Sequence, residues 1–194
     1  MTVYTLKRRQ HIKRPLDEVF AFFSRPENLE LLTPRHLRFQ MLTPSPIQMK
    51  EGALIDYAIR LLGISFRWTT YITLFNPLRS FVDVQLRGPY TFWHHTHTFD
   101  ATVDGTIVTD EVTYALPFSF LGRMAHGLFV KYQLRRIFNY REAQIADIFS
   151  SDTGPNHFAH TIPEWSKKPI QSPFPQLTSD RSPQKRTLET ERTI

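Results

Sequence analysis

Cysteine is absent from the 194-residue chain, which excludes disulfides and any chemistry that needs a thiolate. No stretch approaches the ~18 uninterrupted apolar residues of a membrane span. The opening Met1-Thr-Val-Tyr-Thr-Leu-Lys-Arg-Arg-Gln places charge where a signal peptide needs its apolar run. A cytoplasmic protein is the expectation. There is no Gly-x-Ser-x-Gly elbow and no other marked nucleophile, so hydrolysis through a covalent intermediate has no support. A gathered basic face with interleaved aromatics is also missing, and with it the footprint of a nucleic-acid binder.

What is present is apolar and aromatic. Hydrophobic residues make up 41% and aromatics 13% of the chain, enough for one domain with a sizeable core. Fourteen of the 16 Phe residues precede Ser151, whereas residues 151–194 hold six of the 14 prolines and no periodic apolar run. The reading is a folded domain over residues 1–150 and a disordered Pro/Ser-rich tail over 151–194. Within the tail, only His157-Phe158 and Ile162 to Trp165 offer places to dock. The net charge is +6; six of the 24 Lys/Arg and five of the 18 Asp/Glu fall in the tail, so the excess sits on the domain. Scattered basic residues there read as a solvated surface, with a transient attraction to anionic membranes as the other reading.

Along the chain, Tyr4 to Ile12 reads as a strand. Pro15 to Phe23 reads as a helix, with Leu16, Val19, Phe20 and Phe23 on one face and Asp17 and Glu18 at its positive end. Ser24-Arg-Pro-Glu27 has capping-box spacing and predicts a second short helix to about Leu32, stopped by Thr33-Pro34. Six strands come next, over 37–42, 53–62, 64–75, 79–87, 92–103 and 106–116, separated by Pro, Gly and Asn-Pro signals. Asp104-Gly105 marks a hairpin. From Phe120 to Phe149 no proline occurs, which predicts one long helix. Its apolar stripe begins on Leu121, Met124, Ala125, Leu128 and Tyr132, then shifts phase near Lys131 to Leu134, Phe138, Ile145 and Phe149. This order gives an α+β fold, a curved six-to-seven-stranded antiparallel sheet wrapped on a long C-terminal helix. A cavity forms where the two do not meet along their whole length.

Several motifs together resemble the SRPBCC (START-like) superfamily. They are Pro15-x-x-x-Val19-Phe20-x-Phe22-Phe23, Pro26-x-Asn28-Leu29, Leu32-Thr33-Pro34 and Phe81-x-Asp83-x-Gln85-x-x-Gly88-Pro89-Tyr90. Further on come Trp93-x-His95-x-His97-x-Phe99, Gly105-Thr106-x-x-x-Asp110-x-Val112-x-Tyr114-x-x-Pro117 and Phe138-x-Tyr140-Arg141. The superfamily includes polyketide cyclase/dehydrase-like, coenzyme Q-binding START-type and birch-pollen-allergen-like proteins. Within it the chain is most similar to a bacterial branch of unknown ligand often labelled cell-division inhibitor. The resemblance covers residues 1 to about 149 and implies the helix-grip fold. It does not name a ligand, because one fold hosts many functions.

Strand alternation puts Trp93, His95, His97 and Phe99 on one face, and Val108, Asp110, Val112 and Tyr114 on one face of the next strand. Their apolar weight argues that both sets point inward. Phe81, Asp83 and Gln85 form a similar face, in competition with Val82, Val84 and Leu86. The candidate ligand-binding set is therefore Trp68, Phe81, Asp83, Gln85, Trp93, His95, His97, Phe99, Asp110, Val112 and Tyr114, with Met124 and Leu128 from the long helix. Phe118 to Gly122 would form the entrance. One reading makes the His/Asp cluster a satisfied buried pair. A second makes it the anchor for the head group of a lipid, isoprenoid, quinone or polyketide-like ligand, held by a carrier or sensor. A third is a cofactor-free cyclase or dehydratase, with His95 or His97 as base, Asp110 fixing its tautomer and Tyr114 as acid. A fourth is a regulatory module that docks a protein partner, not itself identified, through the tail. His-x-His with Asp110 opposite could hold zinc, but Trp93 and Phe99 beside it suggest packing. No metal and no cofactor are expected. His126 reads as a surface or rim residue.

Overall fold

Alternating β-branched and aromatic residues, broken by short turns, fold into strands that pair with their neighbours in sequence. The computed structural model describes residues 1–61 and 63–150; the tail read as disordered, with its two docking segments, lies outside them. The strands are β1 (Val3–Ile12), β2 (Gln40–Met41), β3 (Leu54–Leu61), β4 (Ile64–Asn76), β5 (Ser80–Arg87), β6 (Phe92–Thr102) and β7 (Gly105–Ala115). They form one sheet in the order β1-β7-β6-β5-β4-β3-β2, every pair antiparallel. Only β1 leaves the meander, pairing along ten residues with the last strand. The β6–β7 hairpin turns through Val103 and Asp104 with Gly105 already paired to Thr102, one residue earlier than the Asp-Gly signal suggests.

Helix α1 (Leu16–Phe23) starts just after Pro15 and carries Asp17 and Glu18 in its first turn, where negative charge meets the positive end of the helix dipole. Its buried face is Val19, Phe20 and Phe22. The expected second helix and its capping box do not form. Ser24 instead closes α1, its backbone N–H bonding to the Phe20 carbonyl, so it is not free to open another helix. Two 3₁₀ turns, Pro26–Leu29 and Arg35–Leu37, take the place of that helix. Asn28, buried, donates from Nδ2 to the Phe22 carbonyl at 2.8 Å and so ties the first turn to the end of α1. The strand expected over 37–42 shrinks to Gln40–Met41, because Arg38 takes a left-handed conformation that interrupts extension.

The long C-terminal helix is three joined pieces: α2 (Ser119–Ala125), a π turn (His126–Val130) and α3 (Lys131–Ser150). A π turn holds an extra residue, so it rotates the helix on its N-terminal side against the helix on its C-terminal side. That is the physical origin of the phase shift near Lys131. Past it, Leu134, Phe138, Ile145 and Phe149 are buried at spacings of four, seven and four residues, one stripe of an α-helix. The stripe faces the sheet, giving a curved seven-stranded antiparallel sheet gripping a long C-terminal helix.

Candidate functional site

The space between the sheet and α3 is filled at one end and open at the other. At the filled end α1 inserts Phe20, whose ring lies 5.0 Å from Phe99, 5.7 Å from Phe75 and 6.4 Å from Phe81. Ile145, Phe22 and Phe149 complete that cluster. At the other end no α-helix enters among the described residues. A cavity of about 160 Å³ remains, walled by the aliphatic and aromatic side chains of the 3₁₀ turns, β3, β4 and α3. On β3 the residues Ile55, Tyr57, Ile59 and Leu61 alternate into it, and α3 contributes Leu134, Ile137, Phe138 and Arg141. Trp68 and Trp93 meet edge to face at 5.2 Å in its wall. Among the described residues, the Trp68 indole N–H and the Arg141 Nε–H are buried with no hydrogen-bond partner.

One patch of this wall is polar. Strand register places Asp83 opposite His95 and Asp110 opposite His97, so the four side chains form an alternating square on the concave face. His95 Nε2 and His97 Nδ1 lie 3.1 and 2.7 Å from Asp110 Oδ1, while His95 Nδ1 and His97 Nε2 lie 3.4 and 3.3 Å from Asp83 Oδ2. The two imidazoles overlap with ring centroids 3.8 Å apart. Burial pushes against every charge here. It works to raise Asp110, yet His97 above all, together with His95, holds that carboxyl well below the usual carboxylate range. Asp83 is likewise lowered by His95 and His97 against the same burial. The two histidines split: burial and the neighbouring His97 lower His95, whereas Asp110 and Asp83 outweigh burial and raise His97. The square thus holds both carboxyls down and moves its two imidazoles in opposite directions. Asp83, His95 and His97 face the cavity and Asp110 sits behind them.

The remaining candidates divide. Trp68, Phe81 and Trp93 line the cavity. Phe99 belongs to the filled end, packed on Phe20 and Phe23. Val112 is fully buried in the wall behind the lining. Gln85 is taken by the turn after β5: its Nε2 donates to the Tyr90 carbonyl at 2.7 Å and its Oε1 accepts from the Tyr90 N–H. A Cβ at Gly88 would displace the Gln85 side chain from this position. Tyr114 does not join the polar square. Its hydroxyl bonds to His126 Nε2 at 2.9 Å, and the His126 ring stacks on Tyr4 at 3.4 Å. His126 is therefore the residue that straps the π turn to β1 and β7, more than a rim residue. Met124 and Leu128 are corrected outright: they are 48% and 77% exposed, turned away from the cavity by the rotation at the π turn. Their place is taken by the stripe one step further along the helix. The β3 lining and Leu134 were missed as site residues although alternation and helical spacing announce both. Arg141 was visible only as part of a motif.

The likenesses to known proteins agree with this architecture. Residues 12–137 match the family model described as polyketide cyclase / dehydrase and lipid transport. The structure resembles protein CV1439 from Chromobacterium violaceum at 12% identity and a TM-score of 0.60, covering 76% of this chain and 98% of that one. It resembles major latex-like protein 151 from Panax ginseng at 12% identity and a TM-score of 0.57, covering 77% and 99%. It also resembles the di-domain ARO/CYC StfQ of the steffimycin biosynthetic pathway at 15% identity and a TM-score of 0.58, covering 76% of this chain and 51% of that protein. No curated protein matches in sequence. Sheet order, gripped helix and family match converge: the chain belongs to the polyketide cyclase/dehydrase and lipid-transport family.

Proposed function

We propose that this protein is a carrier or sensor for a small amphiphile, with the ligand's apolar body in the cavity and its polar head against Asp83, His95 and His97. The observation that carries this reading is the cavity itself, mostly apolar, with Asp83, His95 and His97 converging on one side and Arg141 reaching it from α3. Few polar groups in an apolar pocket fix orientation and supply specificity. The size narrows the ligand. An apolar cavity of about 150 Å³ admits one benzene, so about 160 Å³ takes a single ring or a short branched chain. A longer isoprenoid or acyl tail would have to leave through the mouth. The unpaired N–H groups of Trp68 and Arg141 favour a ligand that brings oxygen acceptors. A cyclase using the same cavity would need its acid from His97, because the Tyr114 hydroxyl is engaged by His126.

Native mass spectrometry of freshly purified protein, followed by solvent extraction, tests the reading. A stoichiometric oxygen-bearing hydrophobe is expected, and Ile59→Phe, which fills the cavity from β3, should lose it while staying folded. A chain that purifies empty and takes up no fluorescent hydrophobic probe, or an Ile59→Phe variant that binds as well as wild type, would remove the reading.

An anionic bilayer is the surface from which such a ligand would be drawn. Phe118, Phe120, Met124 and Leu128 are all exposed around α2 and the π turn. The stretch 112–141 has five Lys/Arg and no Asp/Glu, the pairing of apolar and basic groups that favours an interface. Co-sedimentation with phosphatidylserine vesicles should exceed that with phosphatidylcholine and fall in Phe118→Ser/Leu128→Ser. Equal binding to both would remove this part.

A further inference from the structure

The polar square is not symmetric, and its asymmetry points to an occupant. On its buried side, Asp110 Oδ1 lies 3.1 Å from His95 Nε2, a hydrogen bond, and 2.7 Å from His97 Nδ1, a close ionic contact without hydrogen-bond geometry. On its cavity side, Asp83 Oδ2 stands 3.4 and 3.3 Å from His95 Nδ1 and His97 Nε2, beyond the 2.7–2.9 Å of a good charge-assisted hydrogen bond. A neutral His95 that gives its Nε2 proton to Asp110 presents the Nδ1 lone pair toward Asp83. Asp83, His95 and His97 thus each offer one ligand atom on the cavity side, all within 4.8 Å of one another.

We propose that Asp83, His95 and His97 form a divalent metal site of the zinc type in the cavity wall, with Asp110 behind it as the carboxylate that orients His95. The spacing fits. Ligands about 2.0–2.2 Å from a tetrahedral metal stand roughly 3.3–3.5 Å from one another, which matches the two Asp83 separations. Metal-bound histidines almost always give their other ring N–H to a carboxylate or carbonyl, and Asp110 Oδ1 takes that place for His95 Nε2. Two imidazoles and one carboxylate suit zinc or a neighbouring transition metal better than magnesium or calcium, which prefer all-oxygen shells. Access is present on the correct side: the Asp83 side chain is 16% exposed and that of Asp110 9%. Three protein ligands leave a fourth position directed into the cavity, where a ligand's carbonyl, enolate or carboxylate oxygen would bind. The three residues are those that face the proposed head group, but the metal can be tested alone, without the amphiphile.

The test titrates chelator-stripped full-length protein with Co²⁺ and Zn²⁺, reading the Co²⁺ visible bands and the Zn²⁺ stoichiometry. One equivalent of either should bind. Asp83→Asn should weaken binding by about 100-fold or more and Asp110→Asn by about 10–100-fold, while His94→Gln on the other face of β6 should leave it unchanged. Because the buried variants could disturb folding, the wild-type protein gives a second readout in its imidazole ¹⁵N shifts. Zn²⁺ should move His95 Nδ1 and His97 Nε2 and no other histidine nitrogen. Binding that survives Asp83→Asn, shifts confined to surface histidines, or no stoichiometric binding would each overturn the site and leave a shared proton as the link between Asp83 and the two rings.

Discussion

The two ends of the gripped helix use the same sheet and the same kind of stripe, yet one is a core and the other a cavity. At the Phe149 end, α1 crosses beneath and delivers Phe20 and Phe22 into the groove, so the rings of β5, β6 and α3 close on them. At the Leu134 end the facing chain is the pair of 3₁₀ turns, whose Leu29 and Leu37 line the space without filling it. The aromatics there, Trp68, Trp93 and Tyr90, pack on each other and on the wall. The polar square sits at the border, with His97 stacked on Phe81 of the filled side at 4.2 Å and His95 edge-on to Phe138 at 5.9 Å. A cavity in this fold is thus made by where one short helix stops, not by a special lining.

The largest expected effect tests that contrast directly. Ile145 and Leu134 are both almost fully buried on the same face of α3, one at each end. Ile145→Ala opens a void inside a closed packing and should cost about 4 kcal/mol. Leu134→Ala enlarges a space that already exists, where water or ligand can enter, and should cost about 2 kcal/mol. Urea unfolding of both variants measures the difference, and equal losses would mean that the two ends are packed alike.

The second effect belongs to the border. Asp110→Asn keeps the shape but removes the charge that His97 faces, and should cost about 2–3 kcal/mol near pH 5–6. The sign with pH comes from the two shifts. Asp110 is held low, so its contribution is complete above its unfolded value of about 4 and is lost as pH falls through its still lower folded value. His97 is raised, so its contribution is complete below about 6.5 and is lost as pH rises through its folded value. The gap between variant and wild type, measured in chelator, should therefore be widest between about pH 4 and 6.5 and narrow on both sides. A gap that does not change with pH would mean that Asp110 acts through shape alone.

The fold was legible because its signals are local and repeated. Alternation marked six strands closely, and the inward sets of β6 and β7 emerged from it, Asp110 with His95 and His97 included. The site was legible only in part. Asp83 could not be assigned a face, since Phe81-Asp83 and Val82-Val84 are equally suited to the interior and Val82 is in fact buried too. Met124 and Leu128 misled because a helical stripe states which residues share a face but not where along the helix a π turn rotates it. Tyr114 misled for another reason. It points inward as expected, but its hydroxyl partner, His126, comes from 12 residues further on through a turn that no periodicity announces. The β3 lining needed no new signal, only the knowledge that α1 ends too soon to cover it.

The smallest expected effect shows that position, not charge pairing, sets the scale. Asp56 on β3 accepts from Arg67 and Thr69, each at 2.6 Å, on the solvent side of the same sheet. Those two partners, Thr69 foremost, lower its carboxyl against a slight burial effect. The geometry is as close as anything in the polar square. Arg67 is half exposed, however, and water screens the pair and competes for its hydrogen bonds. Exposed ion pairs contribute about 0–1 kcal/mol, so Asp56→Asn should change unfolding by no more than that, and less at high salt. Metal binding and the ligand found on the wild type should be unaltered. A loss comparable with that of Asp110→Asn would show that the sheet depends on its cross-strand pairs wherever they lie, and the border between filled and open ends would lose its special standing.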